Sequence, residues 1–225
     1  MPTVAVILSG CGFLDGSEIH EAVSCLVHLA RRGISYTCFA PDIVQVDVIN
    51  HATSKPVHET RRVMIEAARI ARGQIAPLAE LHTERFEGLV MPGGFGAAKN
   101  LSTFATQGAD CTVNPEVSRV LKEFRAAGKP MALCCIAPAI AARVFGKGSG
   151  GPGCTLTIGN DAGTAAVLEK MGATHVDRAV TQAHVDAANR LVTTPAYMYH
   201  ATPWEVFQGV GAMIDELAEM IGKKS

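Results

Sequence analysis

Apolar residues fall along this chain in two alternating patterns: short unbroken runs, and stretches in which they recur every three or four positions. The runs at residues 3–8 (TVAVIL), 34–40, 88–91 (GLVM) and 131–134 (MALC) predict strands covered on both faces, since a strand with one wet face alternates apolar and polar side chains instead. Between the first two runs, Ile19, Ala22, Val23, Leu26, Val27 and Ala30 recur at helical spacing, with Ser17 as a capping residue and Gly33 as a stop. Val63, Ala67 and Ile70 predict a second helix over residues 59–72, with Arg61, Arg62, Arg69 and Arg72 on its solvated side. Asn114 caps a third, which carries Pro115 at its first position, Val117, Val120, Leu121 and Phe124 inside, and Gly128 at its end. A fourth covers residues 136–144, where Pro138 in the first turn costs no hydrogen bond.

The last third continues the alternation. Residues 146–153 (GKGSGGPG) predict a flexible connector, a lid or surface loop, because glycine at this density does not suit an element interior. A strand at 155–158, a helix at 163–171 and paired strands at 179–185 and 190–194 follow. Thr202, Pro203 and Glu205 form a capping box that opens a final helix with Val206, Val210, Met213, Ile214, Leu217 and Ile221 on one face. Residues 41–55 predict no regular element. Strand and helix in strict alternation predict an α/β fold, a mostly parallel sheet with helices on both faces. At 225 residues and 48% hydrophobic content, one core and a single domain over residues 1–225 are expected.

Charge narrows the range of partners. A formal net charge of -1 leaves no electrostatic footprint for nucleic acid or an anionic membrane, so a small neutral or weakly charged partner is expected. No apolar run reaches the about 18 residues that a membrane-spanning helix needs. The seven cysteines are odd in number and lack CxxC spacing, which argues against a disulfide framework or a zinc site and for a reducing compartment. With the first strand at residue 3 and no leader pattern, the cytoplasm is expected, or the mitochondrial matrix after removal of a transit peptide.

One of those cysteines stands apart. Cys135 falls between the end of a strand and the start of a helix, where the helix dipole is expected to lower a thiol pKa and produce a nucleophile. Cys134 points to the opposite side and reads as structural. In parallel sheets, sites form beyond the carboxyl ends of the strands, so the loops after the first, third and elbow strands should converge. They bring Gly10, Gly12 and Glu18, then Gly93 and Gly94, then Cys135. Glycines let a carbonyl approach backbone amides, and the amides of Gly94 and Ile136 are candidates for an oxyanion site. Glu18 is expected to share one negative charge with the thiol and to shuttle protons. His20 lies nearby in sequence, and Lys99 and Asn100 follow the second glycine loop as candidate contacts for an anionic ligand or a partner subunit.

Four stretches carry a resemblance: SGCGFLDGSEIHE (9–21), PGGFGAAKNL (92–101), CCIAPA (134–139) and TTPAYM (193–198). Together they resemble the ES1/ElbB family of the class I glutamine amidotransferase-like, DJ-1/PfpI superfamily. The resemblance implies a flavodoxin-like three-layer sandwich, a nucleophile-elbow cysteine at Cys135, a helix-borne glutamate at Glu18, and a homodimer. It also implies cofactor-independent glyoxalase activity of low efficiency, or protein deglycase activity, with no metal or cofactor. The chain departs from active members of the wider superfamily in having Ile136 where they usually carry a histidine beside the cysteine, and only His184 and His200 offer an imidazole from later loops. Glutaminase chemistry is not expected, because a thiol without imidazole is a poor acyl-transfer catalyst. Addition of Cys135 to a small aldehyde is compatible with this set: a hemithioacetal forms, Glu18 moves a proton through an enediol, and glycolate or lactate is released. The alternative is a non-catalytic redox or electrophile sensor or binding protein that uses the Cys135 thiolate.

Overall fold

Residues 1–222 are described by a computed structural model. Strand β1 (Thr3–Ile7), helix α1 (Ile19–Arg31) and strand β2 (Ser35–Ala40) form a parallel βαβ unit. Two short antiparallel strands, β3 (Ile49–Asn50) and β4 (Lys55–Pro56), fill the stretch expected to be irregular. Helix α2 (Val63–Ile70) is shorter than residues 59–72, because Arg61 and Arg62 are drawn into ion pairs with Glu59 and Asp42 before the helix starts. The edge strand β5 (Ile75–Pro77) was not foreseen. It is followed by β6 (Gly88–Met91), the short helices α3 (Phe95–Lys99) and α4 (Phe104–Gln107), and α5 (Pro115–Ala126), capped by Asn114 Oδ1 as expected. Strand β7 (Met131–Cys134) leads through a turn to α6 (Pro138–Phe145). Then come β8 (Thr155–Leu156), α7 (Ala162–Lys170), β9 (Thr174–His175), β10 (His184–Asp186), β11 (Leu191–Thr194) and α8 (Pro203–Gly222).

The central sheet has seven strands in the order β10-β11-β7-β6-β1-β2-β5, and only the β10–β11 pair is antiparallel. The unbroken apolar runs reflect this burial on both sides. Ala5, Ile7, Leu89, Met91, Met131 and Leu133 pack beneath α5, α6 and α7, while Val4, Val6, Val90 and Ala132 pack beneath α1, α2 and α8. The fold is therefore α/β with a mostly parallel seven-stranded sheet and a helical layer on each face, as the alternation predicts. The run at 155–158 pairs only with β9, in a separate two-stranded sheet.

Two local expectations are resolved. Of the two roles expected for the glycine-rich stretch 146–153 it is a largely exposed surface loop, anchored where Lys147 N and Gly148 N donate to Gly172 O and Met171 O and where a side chain at Gly146 or Gly151 would collide with backbone at the far end of α6. In α1 the buried face is rotated from the one predicted. Ile19, Val23 and Val27 are exposed, whereas Glu21, Ala22, Ser24, Cys25 and Leu29 are buried against the sheet and α8. Ser17 does not cap this helix. Its hydroxyl accepts Ser9 N at 2.8 Å, and the cap is Glu18.

Candidate functional site

The strand order reverses between β1 and β6, and the loops that leave β1, β6 and β7 meet there, as expected of parallel sheets. Backbone hydrogen bonds tie the first two together: Glu18 N donates to Gly93 O (3.0 Å), Phe95 N to Phe13 O (2.7 Å) and Gly96 N to Gly16 O (2.8 Å). Cys135 follows β7 with φ +59°, a left-handed conformation that costs a non-glycine residue about 1–3 kcal/mol and marks a sharp strand-to-helix elbow. Its amide donates to Thr194 O at 3.0 Å, which extends the β7–β11 ladder into the turn. Gly93 makes the convergence possible. A side chain there would overlap the Cβ of Cys135 and stand 2.9 Å from Glu21 Oε2.

The carboxyl against the thiol is that of Glu21. It is fully buried on the inner face of α1, where its Oε2 and the Cβ of Cys135 flank the bare Gly93. Gly93 N donates to its Oε2 (3.0 Å), Tyr197 N to its Oε1 (3.3 Å), and the Cys134 thiol to its Oε2 (3.8 Å). Glu18 lies one turn earlier. Its Oε2 accepts Glu21 N at 2.7 Å and so caps α1, and its carboxyl faces the opening above Cys135. Glu18 therefore reaches the site, but as cap and wall, while the acid paired with the sulfur is three residues further on.

The electrostatics differ from the sequence expectation. Burial and the neighbouring Glu18 push Glu21 up to about 7, against the opposing pull of its hydrogen bonds to Cys135, Tyr197 and Gly93. Burial, then the Glu21 charge, push the Cys135 thiol well above its usual range, and the amides of Gly94 and Ile136 hydrogen-bond the sulfur and pull the other way. The helix dipole does not win. Helix α6 begins only at Pro138, and a buried sulfur beside a carboxyl loses more from desolvation than a helix end returns. Near neutral pH the pair is a neutral thiol beside a half-ionised carboxyl, a carboxyl poised to take the thiol's proton as the sulfur attacks.

Above the sulfur opens a cavity of about 460 Å³. Its wall is apolar and aromatic, with Phe13, Phe95, Phe104, Ile136, Tyr197 and Met198 around the mouth, and its charged residues are Glu18 and Asp161. Asp161 caps α7 by accepting Thr164 N at 2.6 Å.

The other predicted residues divide cleanly. Gly94 lines the cavity at φ +93°, and Ile136 lines it beside the thiol. Gly10 and Gly12 do not: both take positive φ and allow the first loop to fold tightly on Gly16, Asp15 and His51. His20 reaches the rim, where Nδ1 is 2.7 Å from the Tyr197 hydroxyl and 3.9 Å from Glu18. His184 is remote, on the antiparallel edge strand with Nε2 2.8 Å from Thr155 Oγ1, and His200 is exposed outside the cavity lining. Lys99 and Asn100 both have partners within the chain. Lys99 Nζ is spent on Leu14 O (3.1 Å) and Asp47 (2.8 Å), and buried Asn100 clasps Ser9 O, Asp15 O and Val46 N. Among the described residues no group of three His, Cys, Asp or Glu side chains is placed to hold a metal ion.

Sequence reasoning missed Glu21, Tyr197, Asp161 and the three phenylalanines. A signal for Glu21 existed: it stands four residues before Cys25, and a helix phased on Ala22, Cys25 and Leu29 turns it inward. Nothing in the sequence placed the phenylalanines together, because they come from three separate loops and short helices.

No protein-family model matches the chain. It is 49% identical over 230 residues to the rat ES1 protein homolog, mitochondrial, and to the human glutamine amidotransferase-like class 1 domain-containing protein 3, mitochondrial, covering 98% of this chain and 84% of each relative. Among solved structures it superposes with a TM-score of 0.92 and 35% identity on an isoprenoid biosynthesis protein with an amidotransferase-like domain from Ehrlichia chaffeensis, over 98% of this chain and 99% of that one. Drosophila melanogaster DJ-1beta shares the fold at a TM-score of 0.58 and 19% identity, over 99% and 94% of the two chains.

Proposed function

The chain belongs to the ES1 family and has the DJ-1/PfpI-like fold, and from that premise we propose that it is a cofactor-independent glyoxalase acting on α-oxoaldehydes. The observation that carries this reading is the buried carboxyl of Glu21 set beside Cys135, with only the bare Gly93 between them, below an open cavity. Ionised Glu21 takes the thiol proton as sulfur adds to the aldehyde carbon, and the Gly94 and Ile136 amides steady the charge near the sulfur. The carboxyl gives that proton to the hemithioacetal oxygen and, ionised again, removes the proton from the same carbon and returns it to the adjacent carbonyl carbon through an enediol. The resulting α-hydroxy thioester is hydrolysed: water adds, the carbon–sulfur bond breaks, and lactate or glycolate leaves with the thiol restored. A base near 7 suits this work at neutral pH. Turnover of methylglyoxal to lactate in the absence of glutathione, followed by proton NMR, tests the reading. Multiple equivalents of lactate per chain support it, and their absence at high enzyme concentration refutes it.

One observation favours a second reading, an electrophile-binding protein without turnover. The two histidines that could offer an imidazole to Cys135, His184 and His200, lie elsewhere, and His20 stops at Tyr197. Under that reading Cys135 is consumed stoichiometrically. The mitochondrial designation of the rat and human relatives supports a mitochondrial setting for either activity.

A further inference from the structure

The cavity is larger and more apolar than a two- or three-carbon aldehyde needs. Its 460 Å³ would hold about 15 waters at the liquid's about 30 Å³ each, and it falls within the about 300–1,000 Å³ of sites that enclose larger organic ligands. Phe13, Phe95 and Phe104 line the cavity above Cys135, and two of these rings, Phe13 and Phe95, are each 47% exposed. Exposed rings around a reactive group gain most from a flat apolar partner. Charge points the same way. Glu18 and Asp161 face the cavity and, among the described residues, no lysine or arginine lines it; Lys99 lies over the ring of Phe95, with its charge paired to Asp47 and its ammonium bonded to Leu14 O. An anionic substituent would meet two acidic residues in the lining and a lysine already neutralised by Asp47.

We propose that this site selects α-oxoaldehydes that carry an aromatic or bulky apolar substituent and no negative charge, with arylglyoxals as the simplest members of the class. For turnover this rests on the glyoxalase reading. Phenylglyoxal and one water give mandelate: the aldehyde carbon is oxidised to the acid, the ketone carbon is reduced to the alcohol, and no external oxidant or reductant enters. Selection at the thiol itself needs only that Cys135 be reached through this cavity.

Two measurements separate these layers. The first compares alkylation of Cys135 by phenacyl bromide, 4-carboxyphenacyl bromide and iodoacetamide, mapped by peptide mass and normalised to N-acetylcysteine; a carbon–sulfur bond forms and halide leaves. Phenacyl bromide is expected to exceed both other reagents at least tenfold, and Asp161→Asn, which keeps a good helix cap, is expected to narrow the penalty on the carboxylated reagent. The second compares kcat/KM for phenylglyoxal and methylglyoxal, where at least a tenfold advantage for the aryl substrate is expected. Equal normalised alkylation by the three reagents overturns the inference even if methylglyoxal is converted. Aryl-selective alkylation with no conversion of either aldehyde supports the selectivity and overturns the glyoxalase reading. Conversion of methylglyoxal in preference to phenylglyoxal overturns the inference and leaves that reading intact.

Discussion

The carboxyl of Glu21 and the side chain of Cys135 stand side by side inside the protein, and the absence of a side chain at Gly93 is what lets them meet. Gly93→Ala therefore tests the packing of the site. Its methyl would press on both partners, and overpacking of this kind costs about 1–3 kcal/mol. In a chain of this size each kcal/mol lowers Tm by about 2–4 °C. Calorimetry is expected to find that loss together with a large fall in aldehyde turnover; a variant with unchanged Tm would mean that the two loops separate without cost.

Glu21 also sets a pH dependence. Its folded pKa, about 7, lies above the ordinary 4.5, so between these values the folded protein binds more protons than the unfolded chain. The contribution of this group to stability is full below about 4.5 and is lost as pH rises through 7, an effect of about 3 kcal/mol at 1.36 kcal/mol per unit. Urea titrations from pH 4.5 to 8 are expected to show the Glu21→Gln variant with a flatter decline than wild type. Parallel curves would place the pKa of Glu21 near its ordinary value.

The same substitution should separate reactivity from catalysis. The Glu21 charge raises the thiol pKa, so Glu21→Gln is expected to speed alkylation of Cys135 by iodoacetamide at pH 8 while abolishing turnover. Slower alkylation in the variant would show that proton removal by Glu21, rather than the field of its charge, governs attack by the thiol.

Asn100 offers a structural contrast. Asn100→Ala leaves Ser9 O, Asp15 O and Val46 N without their partner, at about 1–3 kcal/mol for each group that water does not reach. Lys99→Met, which removes a half-buried ion pair with Asp47 and a hydrogen bond to Leu14 O, is expected to leave KM for methylglyoxal within twofold. A tenfold rise in KM would make Lys99 a substrate contact.

Much of this was legible in the sequence, for identifiable reasons. Residues 88–91 and 131–134 match their strands because burial on both faces writes itself as an unbroken apolar run. Asn114 with Pro115, and Thr202 with Glu205, fix helix starts because capping is local chemistry. The position of Cys135 followed from the strand end. What failed was phase. Helix α1 is apolar around much of its circumference, so Ile19, Val23 and Val27 describe as good a stripe as Ala22, Cys25 and Leu29, and the choice between them decides whether Glu18 or Glu21 faces the sulfur. The partners of Gly10, Lys99 and Asn100 were not legible because a loop that folds on itself uses the same residue types as one that binds a ligand.

That choice of carboxyl is best tested by turnover of methylglyoxal under identical conditions by wild type, Glu21→Gln, Glu18→Gln and Cys135→Ala. Glutamine at position 18 keeps an oxygen to cap α1, so Glu18→Gln is expected to retain activity within about tenfold, whereas the other two variants lose it to background. Loss of activity in Glu18→Gln with activity retained in Glu21→Gln would reverse the assignment and make the cavity wall, rather than the buried pair, the seat of the proton transfer.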